Sequence, residues 1–74
     1  MLSIETMHDA LETAIERAKR NDDITDLREL QHLAGYLMRP AAMKEDKETE
    51  KRFRILAASA ANIRETIMRR RGDD

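Results

Sequence analysis

Two short stretches hold the residue types that bind metals: Glu5-Thr6-Met7-His8 and Glu29-Leu30-Gln31-His32. In di-iron carboxylate bundles two helices each supply a Glu-x-x-His and two others each supply a glutamate. The spacing suits that chemistry because residues three apart share a helix face, so a carboxylate and an imidazole converge on one ion. Both histidines of the chain fall in this pattern. Such ligands must point into a bundle, however. Glu29 and His32 fall opposite the apolar stripe of their own helix, Glu5 falls on the solvent side, and His8 falls at the margin. The expectation is solvated polar faces, with no metal and no other cofactor.

Other chemistry is scarcer still. Ser3 and Ser59 are the only serines; Ser3 reads as a helix cap and Ser59 as a small residue beside a helical seam. Gly35 and Gly72 stand alone, so no glycine-rich loop can cradle a phosphate. The chain has no cysteine, which excludes disulfides and thiolate metal sites. No catalytic residue is expected, and the chain is not read as an enzyme.

Basic side chains offer a second kind of site. Lys44, Lys47, Lys51 and Arg54 recur along one side of a predicted helix that closes with Arg69-Arg70-Arg71. Lys47, Lys51 and Arg54 could follow the phosphates of a nucleic acid or hold another anionic ligand. Acidic residues at 45, 46, 48 and 50 interleave with them, and the only aromatics are Tyr36 and Phe53. The charge is divided along the chain: residues 1–43 carry five basic and eight acidic side chains, and residues 44–71 carry nine basic and five acidic. That division favours intramolecular or head-to-tail docking over broad attraction to a polyanion.

The elements that must position these residues are helices. Ile4, Met7, Leu11, Ala14, Ile15 and Ala18 fall within about 100° of one another at 100° per residue, a core-facing stripe. The first helix is expected over about 3–20, capped by Ser3. Asn21-Asp22-Asp23 breaks it, and either aspartate or Thr25 can cap a second helix over about 24–39. This one carries Leu27, Leu30, Leu33, Ala34, Leu37 and Met38 on one stripe, with Arg28, Glu29, His32 and Tyr36 opposite. Pro40 is expected to end it, because the residue before a proline is pushed out of helical geometry. Gly35 marks either a close helix approach or fraying near Pro40. The third helix, about 46–71, repeats Phe53, Leu56, Ala60, Ile63 and Ile67 at steps of three and four, with Gly72 after its end. Glu16–Arg20, Glu48–Arg52, Glu50–Arg54 and Glu65–Arg69 are spaced as i, i+4 ion pairs.

The fold expected is all-α: a three-helix bundle, or a helical hairpin plus a long third helix, forming one domain over 1–74 and completed by homodimerisation. Seventy-four residues bury a modest core, worth roughly 3–5 kcal/mol at this size. Ile55, Ala58 and Ala61 carry apolar surface round the back of the third helix, beyond what two neighbours can cover. The expected role is therefore a small protein–protein interaction module, such as an adaptor, inhibitor, regulator or assembly subunit. Its surfaces are Ile55, Ala58 and Asn62 on the third helix and Tyr36, Arg28 and His32 on the second. Its partners are a second copy of itself and an unidentified protein. The opening Met1-Leu2-Ser3-Ile4-Glu5 lacks a basic segment followed by an apolar run, and no stretch reaches about 18 uncharged apolar residues. No membrane is expected, and the cytoplasm is the default location.

Overall fold

Side-chain oxygens set where the helices begin. A computed structural model describes the backbone of residues 3–43 and 46–72 and the side chains of residues 3–39 and 46–72. In it α1 spans Ile4–Arg20, α2 Ile24–Met43 and α3 Lys47–Arg71. Ser3 Oγ accepts the Thr6 backbone N–H at 3.0 Å, and Asp23 Oδ1 accepts that of Asp26 at 3.0 Å. Asp46 Oδ1 accepts the Thr49 N–H at 3.2 Å, while the Thr49 hydroxyl donates to Asp46 Oδ2 at 2.8 Å. Each cap satisfies an amide donor that a helix start leaves unpaired.

The break after α1 is a tight reversal. Asp23 N–H donates to the Ala18 carbonyl at 2.9 Å and Asp22 N–H to that of Lys19 at 3.2 Å. This pair of bonds requires a left-handed residue just past the helix, a place glycine usually takes. Asp22 takes it here, at φ 50°. Aspartate tolerates that conformation better than most side chains do. Gly72 fills the same role after α3, at φ 77°.

Pro40 does not end α2, contrary to the sequence expectation. The helix continues through it to Met43. Proline there removes one hydrogen bond, the one to the Tyr36 carbonyl, in the last turns of a 20-residue helix. Ala41-Ala42-Met43, all good helix formers, carry the backbone on. Lys44, expected at the head of the basic stripe, lies outside the described residues.

The helices run up, down and up. His8, early in α1, stacks edge-on against Phe53, early in α3, with ring centroids 5.9 Å apart. At the other end Arg71 donates to the Asp22 carbonyl at 2.7 Å and Arg70 to the Asp22 carboxylate at 3.3 Å. α1 and α3 are therefore parallel, and both are antiparallel to α2. α2 and α3 pack most extensively on each other, with α1 laid across both, in an elongated body of 42 × 22 × 14 Å.

Leu11, Ile15, Ala18, Leu27, Ala34, Phe53, Leu56, Ala60 and Ile67 form the buried core. All belong to the stripes read from the sequence. Two stripe residues do not follow: Ile4 is 42% exposed and Leu33 47% exposed. Ile4 opens α1, where neighbouring helices no longer cover it. Leu33 points about 100° from the buried Ala34, which puts it at the edge of its stripe.

Of the four spaced ion pairs, only Glu50–Arg54 lies within 4.0 Å among the described residues. Glu16–Arg20, Glu48–Arg52 and Glu65–Arg69 do not close. An exposed pair of this kind gains only a few tenths of a kcal/mol, which the entropy of fixing two long side chains cancels. Gly35 is not a close approach either: a Cβ placed there would meet nothing within 4 Å.

Candidate functional site

The back of α3 is open along its middle. Ile55 is 56% exposed, and Ala58 and Asn62, one and two turns on, are exposed as well. Neither α1 nor α2 covers them, because the residues of α3 that meet those helices lie on its opposite side.

On α2 the structure builds something the sequence only half revealed. Tyr36 is 66% exposed, and the Arg39 guanidinium lies 5.4 Å from its ring centroid. Such a cation over a ring face is worth about 0.5–1 kcal/mol at an exposed site. Beside them Gln31, His32, Gly35 and Ala57 complete the lining of a shallow groove between α2 and α3, about 390 Å³ in volume. Gly35 contributes by what it lacks, since any side chain there would narrow the groove. Arg28 is exposed but is not part of this lining. Arg39 was missed by sequence reasoning, although its place three residues after Tyr36 on one helix face was a usable signal.

The groups that could hold a metal are not brought together as Glu-x-x-His. Glu5, Glu29 and His32 are exposed. His8 instead gathers with Asp9 and Glu12, one donor atom of each lying within 4.8 Å of the others. His8 Nδ1 is buried with no hydrogen-bond partner among the described residues, 3.8 Å from the Asp9 carboxylate. All three groups come from α1, and two are exposed. The i, i+4 spacing of His8 and Glu12 was the available signal for this cluster.

The basic stripe is open but partly engaged. Lys47, Lys51 and Arg54 are exposed, with Arg54 paired to Glu50. Arg70 and Arg71 are held against Asp22 rather than projecting freely. Asp46, at the head of the helix, is held below its ordinary value of 3.8, first by the Thr49 hydroxyl and then by the Thr49 backbone N–H. Comparison with known protein families, curated proteins and solved structures finds no match. Function must therefore be argued from these faces alone. Among the described residues no helix is long and apolar enough to cross a membrane.

Proposed function

We propose that this chain is a small helical interaction module, an adaptor, inhibitor, regulator or assembly subunit, that works as a homo-oligomer. The observation that carries the reading is Ile55, more than half exposed in the middle of the longest helix and flanked by exposed Ala58 and Asn62. A helix apolar on its inner face and again on its outer face has more surface to cover than its two neighbours supply. The Tyr36–Arg39 pair beside the Gly35 groove is the surface assigned to a different protein, since Tyr and Arg concentrate binding energy at interfaces. The reading assigns the chain to the cytoplasm, where disulfides do not persist and a cysteine-free chain forgoes nothing.

Sedimentation of the parent and of Ile55→Asp tests this. The parent is expected to associate and the variant to sediment as a smaller species with its helical circular dichroism retained. Identical sedimentation of the two removes the Ile55 face from the proposal. Binding of an anionic ligand ranks second, because Arg54 is already paired and acidic neighbours interleave. A gel shift at low salt with Lys47, Lys51 and Arg54 changed to glutamine addresses it, and no complex from the parent disposes of it.

A further inference from the structure

α3 carries two seams. The inner one, Phe53, Leu56, Ala60, Ile63 and Ile67, packs against α1 and α2. Two residues after each of its members, about 200° round the helix, stands a member of an outer seam that advances by three and four in strict alternation. Its ends are Glu48 and Lys51 on one side and Glu65 and Arg69 on the other; its middle is Ile55, Ala58 and Asn62. All seven are exposed. Regular alternation of three and four keeps a stripe facing one partner helix along its length.

The charges of this seam are unspent. Glu48, Lys51, Glu65 and Arg69 form no ion pair among the described residues, although Glu48 and Glu65 each have an arginine four residues on. Their order has a symmetry. Glu48 and Arg69 lie equally far from the Ala58–Ser59 step, and so do Ile55 and Asn62. Lys51 and Glu65 match to within one residue.

We infer that the outer seam of α3 binds the same seam of a second copy, antiparallel and centred on the Ala58–Ser59 step. This rests on the self-association proposed above and gives it a geometry. A two-fold axis at the Ala58–Ser59 step sets Glu48 against Arg69 of the second copy and Ile55 against Asn62, and brings Lys51 within one residue of Glu65. Small residues at the centre, Ala58 and Ser59, let the two backbones approach. Other registers are penalised. Sliding by one turn sets Lys51 against Arg69 in one direction and Glu48 against Glu65 in the other, and parallel in-register pairing sets every charge against its own kind. Like charges placed opposite each other are repelled, so the pattern selects one arrangement.

The natively cysteine-free chain makes the test clean. Single-cysteine variants are oxidised mildly and read on a non-reducing gel. Ala58→Cys should link to itself. Lys51→Cys alone should not, because the two copies of residue 51 lie about 20 Å apart along the axis, far beyond disulfide reach. Mixing Lys51→Cys with Glu65→Cys should give the heterodimer. In sedimentation, Lys51→Glu and Glu65→Lys should each weaken association by roughly tenfold to thirtyfold, as two attractions of a few tenths of a kcal/mol become repulsions. The double swap should restore it. A dimer in which Lys51→Cys links readily to itself overturns this geometry while leaving self-association intact. A parent that stays monomeric at millimolar concentration overturns both.

Discussion

Replacing Gly35 by alanine should make the protein more stable, and the size of the gain follows from the structure. Gly35 lies inside α2 with helical backbone, and its φ is not in the left-handed region. A Cβ added there meets no heavy atom within 4 Å, so no packing cost opposes it. Glycine in a helix interior costs about 0.8–1.0 kcal/mol relative to alanine, chiefly through the freedom it retains when unfolded. The entropy of unfolding for 74 residues is about 0.16 kcal/mol per kelvin near the transition. A gain of about 0.9 kcal/mol therefore raises Tm by about 6 °C. Circular dichroism melts of parent and Gly35→Ala, run at matched concentrations because self-association also moves Tm, give the answer. An unchanged or lowered Tm would falsify the reasoning, since it would mean that backbone or side chain already occupies the space beside Gly35. The same added methyl would narrow the groove that Gly35 lines. The stabilised variant should bind a partner at the Tyr36–Arg39 face less well than the parent does.

Other perturbations probe separate parts of the molecule. Leu27, fully buried, should cost about 2–5 kcal/mol when cut to alanine, so Leu27→Ala should lose most of its helical signal at 25 °C. Asp22→Gly removes a left-handed aspartate but also its exposed contact with Arg70. The conformational gain of about 1 kcal/mol exceeds the ion pair, so Tm should rise; a fall would show that the Arg70 contact dominates. The Asp46 carboxyl is depressed by the Thr49 hydroxyl and N–H, so its share of stability is complete above 3.8 and is lost as pH falls through its lower folded value. An NMR titration should place its midpoint below 3.8, and Thr49→Ala should move that midpoint back towards 3.8.

What was legible in the sequence was whatever depends on neighbours along the chain. Ser3 before Ile4, the aspartates after Arg20 and Gly72 after Arg71 mark helix ends through bonds spanning three to five residues, and the inner faces follow from 3.6 residues per turn. Pro40 was misread because its local preference against helix is real, yet one missing hydrogen bond is tolerated late in a long helix. Glu48, Glu65 and Glu16 have well-spaced arginines, but spacing is only permission, and an exposed pair gains too little to enforce it. The Asp22 clasp could not be foreseen at all. It joins residues 48 and 49 positions apart, and the terminal arginines had a local explanation in the negative end of their own helix. The Ile55 face was legible because apolar residues outnumbered the neighbours. The groove on α2 was only half legible, because a concavity made by an absent side chain leaves no mark on a hydropathy pattern.

The unequal packing of the three helices has a consequence for how the molecule opens. α2 and α3 hold each other along most of their length, while α1 touches each of them less. α1 is anchored at its far end by the tight turn and by the two arginine contacts to Asp22, whereas at its near end the half-exposed Ile4 lends little hold. Thermal excursions should therefore peel α1 from its start toward Arg20, with backbone amides around Thr6 to Ala10 exchanging with solvent well before those around Ala18. Each such excursion bares Leu11 and the ring of Phe53 while the hairpin beneath stays folded.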